Sequence, residues 1–136
     1  MRTLAVDLGL ARTGLALSDE LGLLASPLKT ITQSDLSLLL DQVADIAKLE
    51  QAGEIVVGLP RNMDGSLGES AQRAKQFAEN LQQKTGLPVH LWDERLTTKS
   101  AIGILNETNV RGKKRKNVVD TVAAIIILED FLRSRK

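Results

Sequence analysis

The chain has 136 residues, no cysteine and a formal net charge of +1. This length suffices for one domain with its own core, so we predict a single domain over residues 1–136. The absence of cysteine excludes disulfides and thiolate metal ligands. Asp7 and Arg12 interrupt the apolar N-terminal stretch, which excludes a signal peptide, and the longest apolar run, residues 122–128, is far shorter than the ~20 residues of a membrane helix. We therefore expect a cytoplasmic protein.

The first half of the chain predicts three strands, a helix and a fourth strand. Runs rich in β-formers and bounded by turn residues predict an antiparallel meander at residues 3–8, 14–18 and 27–31. From residue 35 the apolar residues recur at helical spacing, with Ser34 or Asp35 as the N-cap and Gly53 just past the end. Residues 54–60 have the β-branched composition of a buried parallel strand.

The second half continues the alternation. Residues 61–68 have the composition of a loop, residues 70–85 predict a helix, and residues 89–92 predict a fifth strand. Thr97 or Thr98 can cap a third helix that ends near residue 105, and Asn117 can cap a last helix that ends near residue 132. The order β-β-β-α-β-α-β-α predicts an α/β fold with a mixed five-stranded sheet and helices on both faces.

Two aspartates stand in apolar surroundings. Asp7 ends the first predicted strand, where a carboxylate is costly unless it is paired or bound to a metal ion. A turn aspartate that accepts hydrogen bonds from the residues 9–13 connection is the structural alternative. Asp120 interrupts the largely apolar last helix, and with Asn117 as the cap it would occupy the N3 position, where the helix dipole favours a carboxylate by ~0.3 to 1 kcal/mol. Both the functional and the capping interpretation of Asp120 remain open.

A third acidic position follows the fifth strand. Asp93 and Glu94 are adjacent, and because neighbouring strand residues face opposite ways, one of them at most can point into a shared site. A surface strand end that pairs with Arg95 or Lys99 is the alternative. Asp7 could meet this position only if the sheet order brought the first and fifth strands together.

Three carboxylates in one place suit phosphodiester hydrolysis. Two Mg²⁺ or Mn²⁺ ions ~3.5 to 4 Å apart would neutralise the phosphate, activate water and stabilise the leaving oxygen. Hard carboxylate oxygens are the ligands that these ions prefer, and no histidine is needed as a general base. The lone histidine, His90, lies within a predicted strand and is interpreted as structural.

Four motifs carry a resemblance to a known family over essentially the whole chain. They are Asp7-Leu-Gly-Leu-Ala-Arg-Thr-Gly14, Gly58-Leu-Pro60 followed by Asp64-Gly65, Asp93-Glu-Arg-Leu-Thr-Thr98, and Val119-Asp120-Thr-Val-Ala-Ala124. In order and spacing they resemble the YqgF family, also called RuvX, which looks like a compact relative of the RuvC Holliday junction resolvases. Members are described as junction resolvases and as nucleases that trim the 5′ end of the precursor of 16S ribosomal RNA.

The resemblance implies a ribonuclease H-like fold and assigns roles to residues. It implies that Asp7, Glu94 and Asp120 are catalytic metal ligands. It places Arg12, Arg95, Thr97 and Thr98 near the scissile phosphate. RuvC-like resolvases carry a further acidic residue three positions beyond the first one in the final helix, and here that position is Ala123. This departure favours precursor RNA over four-way junctions as the substrate.

Residues 111–116 read Arg-Gly-Lys-Lys-Arg-Lys and are the one dense cationic cluster. We expect a mobile loop here between the third and fourth helices, with Arg111, Lys113, Lys114, Arg115 and Lys116 as phosphate contacts. A solvated connection without a binding role is the alternative. Two phenylalanines, one tryptophan and no tyrosine are too few for a base-stacking platform, so phosphates should be the main contact.

Two other classes of function compete with a nuclease. Asp-x-Gly followed by Thr-Gly in a hairpin also resembles the first phosphate loop of sugar kinases and actin-like ATPases, but the chain is too short for their two lobes. A catalytically silent, ribosome-associated binding module is the other. The nuclease interpretation implies nucleic acid as a partner, possible contact with ribosomal particles, and a monomer or homodimer.

Overall fold

The computed structural model describes residues 1–60, 67–94 and 112–135, and for residues 112–120 it describes the backbone alone. The strands in these ranges are β1 (Arg2–Asp7), β2 (Arg12–Ser18), β3 (Ala25–Thr32), β4 (Ala52–Leu59) and β5 (Val89–Asp93). The helices are α1 (Leu36–Leu49), α2 (Glu69–Thr85) and α3 (Gly112–Arg133). The predicted helix from Thr97 or Thr98 lies outside the described residues.

The five strands form one mixed sheet in the order β3-β2-β1-β4-β5. β1, β2 and β3 make the predicted antiparallel meander, whereas β4 runs parallel to β1 and β5 runs parallel to β4. The C-terminal ends of β1, β4 and β5 therefore lie at one edge of the sheet. The sheet order brings the first and fifth strands to within one strand of each other, with β4 between them.

Local signals explain where α1 and α2 begin and end. The Asp35 side chain accepts hydrogen bonds from the backbone N–H groups of Ser37 and Leu38, which confirms Asp35 as the N-cap of α1. A hydrogen bond from the Ser37 hydroxyl, together with these two backbone bonds, holds the pKa of Asp35 below its ordinary value. α2 ends at Gly86, whose φ of 73° is the left-handed conformation of a helix C-cap.

The sheet buries a separate core on each face. We call these the α1–α2 face and the α3 face, after the helices that cover them. The α1–α2 face contains Leu4, Val6, Leu15, Leu39, Val43, Ile55, Val57, Leu59, Phe77 and Leu81. The α3 face contains Ala5, Ala16, Val56, Ala124, Ile127, Leu128, Phe131 and Leu132, with Trp92 packed against them. Helices on both faces of a mixed sheet are the predicted architecture.

The start of α3 differs from the prediction. The helix begins at Gly112, so Asn117 lies inside it and does not cap it, and residues 113–116 are helical rather than a loop. Lysine and arginine have high helix propensity, and the basic run therefore extends the helix toward its N-terminus. None of the helices within the described ranges is long and apolar enough to cross a membrane.

Candidate functional site

Asp7 ends the central strand and faces α3. Side chains alternate along a strand, and the core of the α3 face contains Ala5, whereas Leu4 and Val6 belong to the α1–α2 face. Asp7 therefore lies on the α3 face, at the edge of the sheet where the parallel strands end. Its side chain is half-buried.

Glycines flank Asp7 on both neighbouring strands. Gly14 is its register partner on β2, and Gly58 follows the Val6–Val57 pair by one residue on β4. Neither glycine contributes a side chain to the α3 face beside Asp7. The two strand positions beside Asp7 on this face therefore carry no side chain of their own.

Glu94 is the second carboxylate on this face. It is 7% exposed, and its backbone N–H donates to the Leu59 carbonyl at 3.1 Å, which continues the pairing of β5 with β4. Asp93, the residue before Glu94, pairs with Leu59 on the neighbouring strand, and Leu59 belongs to the α1–α2 face. Asp93 therefore lies on the opposite face, and Glu94 is the acidic residue of this pair that shares a face with Asp7.

The Glu94 side chain leans over β4. Its Cδ atom lies 2.6 Å from the position that a Cβ atom on Gly58 would take, and Ile127 Cδ1 of α3 lies 2.8 Å from the same position. The carboxyl group of Glu94 thus lies above Gly58. Asp7 is one strand further, at the usual spacing of about 4.8 Å between neighbouring strands.

Asp120 is eight residues beyond the first residue of α3. The helix dipole acts within the first turn, so the capping account of Asp120, which placed it at N3, is wrong. Ala124 and Ile127 are buried on the α3 face, and positions 120, 124 and 127 fall on one side of a helix. The Asp120 side chain itself lies outside the described residues.

The donor set near Gly58 fits a hard divalent cation. Asp7 and Glu94 offer carboxylate oxygens, the ligands of Mg²⁺ and Mn²⁺, on the same face and at the same edge of the sheet. Within residues 1–60, 67–94 and 121–135, no group of three or more acidic or histidine side chains is arranged to hold a metal ion. Asp120 is the predicted third ligand.

The structure describes one of the four predicted polar residues of the phosphate site. Arg12 begins β2, is half-buried, and by alternation shares the α3 face with Gly14. Arg95, Thr97 and Thr98 lie outside the described residues, as does Arg111 of the basic run. Of the remaining cluster, Lys113, Lys114, Arg115 and Lys116, the backbone forms the first turns of α3.

Sequence reasoning assigned no role in the site to two residues that lie near it. Gly58 stands within an apolar β-branched run, and only the sheet register shows that it lies beneath Glu94. Arg73 of α2 donates through Nη2 to the carbonyl of Gly9 at 3.2 Å and thereby fixes the turn between Asp7 and Arg12. A Cβ atom on Gly9 would collide with the Arg12 carbonyl, so turn geometry explains this glycine.

The opposite end of the α3 face is closed by an ion pair. Arg135, just past α3, binds both carboxylate oxygens of buried Glu54 at 2.5 and 2.6 Å, and Thr3 donates to the same carboxylate at 3.0 Å. Burial alone would raise the pKa of Glu54, but the hydrogen bonds from Arg135 and Thr3 hold it below its ordinary value of 4.5. His90 Nε2 lies 3.5 Å from Glu54, far from the Asp7 end of the sheet.

Solved structures match the fold over nearly the whole chain. The T. thermophilus RuvC in complex with a Holliday junction substrate superposes with a TM-score of 0.64 at 16% identity, covering 99% of this chain and 95% of that one. The Fowlpox virus resolvase in complex with Holliday junction DNA gives 0.63 at 10% identity, covering 99% of each chain. These likenesses confirm the predicted ribonuclease H-like architecture.

Curated relatives match at higher identity. A protein of Lachnospira eligens is 43% identical, covering 100% of this chain and 99% of the relative, and one of Moorella thermoacetica is 44% identical, covering 97% and 94%. Both bear the name pre-16S rRNA nuclease as a provisional assignment. The family model described as "RuvX: Holliday junction resolvase" matches residues 1–134. The chain belongs to the RuvX family, as its four motifs predict.

Proposed function

We propose that this protein is a metal-dependent nuclease, a hydrolase of phosphodiester bonds that processes the 5′ end of the precursor of 16S ribosomal RNA. One observation of the structure carries the proposal. Asp7 and Glu94 come from non-adjacent strands and nevertheless lie on the same face at the same edge of the sheet, on either side of a glycine. Membership of the RuvX family supports the same reaction class.

Each residue has a defined task in this proposal. Asp7, Glu94 and Asp120 bind one or two Mg²⁺ or Mn²⁺ ions through hard carboxylate oxygens. When bound, the metal neutralises phosphate charge and activates the attacking water. Arg12 faces the same space and orients the phosphate by its charge. Hydrolysis joins the water oxygen to phosphorus and breaks the bond to the leaving oxygen, which takes up a proton.

The choice of RNA over branched DNA rests on the sequence relatives. Those at 43% and 44% identity are named for precursor 16S rRNA, whereas the junction-bound structures share 16% identity or less and support the fold alone. The final helix also carries Ala123 in place of the additional acidic residue of RuvC-like resolvases. Cleavage of Holliday junctions is the second candidate, favoured by the description of the family model.

The basic turns of α3 are the proposed contact to substrate phosphates. Residues 113–116 carry four successive cations at the N-terminal end of the helix that contains Asp120. Replacing Lys113, Lys114 and Lys116 with Gln should weaken RNA binding and flatten its salt dependence by roughly 0.7 to 0.9 log units per log salt for each lost contact. If the salt slope in a filter-binding titration is unchanged, residues 113–116 form a solvated helix end without a role in RNA binding.

A single experiment tests activity and substrate together. Wild type and Asp7→Asn are incubated with unprocessed precursor RNA and with a four-way DNA junction, each with Mg²⁺, Mn²⁺ or a chelator. We expect wild type to cleave the RNA only with metal, and Asp7→Asn to be inactive while retaining the wild-type unfolding midpoint. Tight RNA binding without metal-dependent cleavage would instead establish the silent ribosome-associated module. Preferential cleavage of the junction would establish the second candidate.

A further inference from the structure

Gly58 lies at the centre of the site without contributing an atom beyond its backbone. A Cβ atom there would lie 2.6 Å from Glu94 Cδ, 2.9 Å from Glu94 Cγ and 2.8 Å from Ile127 Cδ1. Carbon atoms that are not bonded to each other pack at about 3.5 to 4.0 Å. The side chain of Glu94 thus occupies a volume that any other residue at position 58 would fill.

Backbone conformation does not explain this glycine. Among the described residues, the glycines with positive φ are Gly22 and Gly86, and Gly58 is not one of them. Gly58 lies in the regular ladder of β4, paired with Trp92, where any L-residue adopts the backbone angles without strain. A glycine within a strand weakens it, and such a residue often marks a close approach by another group. Here the approaching group is the Glu94 carboxyl.

We propose that Gly58 is a positioning residue of the nuclease site, because the space above it admits the Glu94 carboxyl group across β4 toward Asp7. The inference rests on the proposed function. β4 separates β5 from β1, so a side chain on β4 would stand between the two carboxylates. Because Gly58 has no side chain, no β4 side chain stands between the two carboxylates at this position. Ile127 of α3 packs over the space above Gly58.

The test compares two identical substitutions in the same strand. Gly58→Ala places a methyl group against Glu94. Gly53→Ala, at the other end of β4, places one against Met1, an exposed and flexible side chain. Mn²⁺ affinity is measured by calorimetry on the full chain without substrate. We expect Gly58→Ala to bind Mn²⁺ about 10- to 100-fold more weakly, the range found when partners of metal ligands are altered. Gly53→Ala should bind like wild type.

A double-mutant cycle shows whether Gly58 acts through Glu94. Glu94→Gln alone should weaken Mn²⁺ binding, and adding Gly58→Ala to it should produce no further loss. Full additivity of the two losses would overturn the proposal, as would wild-type Mn²⁺ affinity in Gly58→Ala. If Glu94→Gln itself leaves Mn²⁺ affinity and cleavage unchanged, Glu94 is not a metal ligand and the proposal for Gly58 is overturned. If wild type shows no metal-dependent cleavage, the proposed function has failed instead.

A third variant separates the effect of Gly58→Ala on packing against α3 from its effect on Glu94. Ile127→Val removes the methyl group that would lie 2.8 Å from the new Cβ atom, without altering Glu94. Gly58→Ala combined with Ile127→Val should therefore recover stability toward denaturant while Mn²⁺ binding stays weak. Recovery of both would reduce Gly58 to a packing role. Should Gly58→Ala alone not fold, this double variant is compared with Ile127→Val in its place.

Discussion

The two ends of the α3 face each bury a glutamate and accommodate it differently. Glu54, at the amino end of the parallel strands, is 3% exposed and is held by Arg135 and Thr3. Glu94, at the carboxyl end, is 7% exposed and occupies the space left by Gly58. Arg135 pairs with the carboxylate at one end, and a glycine makes room for the carboxylate at the other. Burial alone therefore does not distinguish a structural carboxylate from a candidate ligand, whereas the immediate surroundings do.

The largest effect is expected from neutralising Glu94, the buried carboxylate at the carboxyl end of the parallel strands. Glu94→Gln should lower the rate of RNA cleavage more than about 100-fold, because even altered partners of metal ligands lose about 10- to 100-fold. Asp93→Asn is the matched control, since Asp93 lies on the α1–α2 face, and it should retain cleavage. Single-turnover rates at saturating Mg²⁺ measure both. Loss of cleavage in Asp93→Asn with retention in Glu94→Gln would reverse the assignment.

At the amino end of the parallel strands, where Arg135 pairs with Glu54, the expected effect is on the free energy of unfolding. Arg135→Gln leaves the buried Glu54 carboxylate without its guanidinium partner. Breaking a buried ion pair costs about 3 to 5 kcal/mol, and because the Arg135 side chain is 41% exposed we expect about 2 to 3 kcal/mol. Urea unfolding measures the loss, and cleavage by the folded protein should stay at the wild-type rate. A change below about 0.5 kcal/mol would show that solvent already screens the pair.

The same ion pair predicts how stability responds to acid. The pKa of Glu54 is lowered on folding, so its contribution is complete above the ordinary value of 4.5 and is lost as the pH falls through the folded-state pKa. The free energies of unfolding of wild type and Arg135→Gln should therefore differ most near neutral pH and converge as the pH falls below the ordinary pKa of a glutamate. Asp19 and Asp35, whose pKa values are also lowered, are present in both proteins and cancel in the difference. A gap that is constant with pH would contradict this account.

The sequence predicts best those features that are set by residues close together in the chain. Asp35 caps α1 and Gly86 ends α2 because both signals act within one helical turn. Asn117 was predicted as a helix cap on the same local grounds, and that prediction is wrong. Residues 113–116 are good helix formers, so α3 begins at Gly112 and contains Asn117. Strand alternation in the sequence allowed one of Asp93 and Glu94 at most to face the site, and the family resemblance pointed to Glu94. Only the register against Leu59 shows that Glu94 shares a face with Asp7.

Features that depend on distant pairing were beyond the sequence. Nothing local to β4 indicates that it enters between β1 and β5, because that order is set by parallel pairings across long connections. The role of Gly58 depends on the same register and so could not be foreseen from its apolar neighbours. The ion pair between Glu54 and Arg135 joins residues 81 positions apart, and no local motif, cap or turn in the sequence indicates it.

The outer strand of the sheet has a consequence for how the protein behaves at high concentration. Among the described strands β3 lies at the outside of the sheet, and an outer strand can template strand addition by a second molecule. Pro27, which is exposed and lacks an N–H group, and the exposed charge of Lys29 both oppose such growth. Resistance to edge-to-edge aggregation is thus encoded in β3, and Pro27→Val is the substitution expected to increase light scattering on storage.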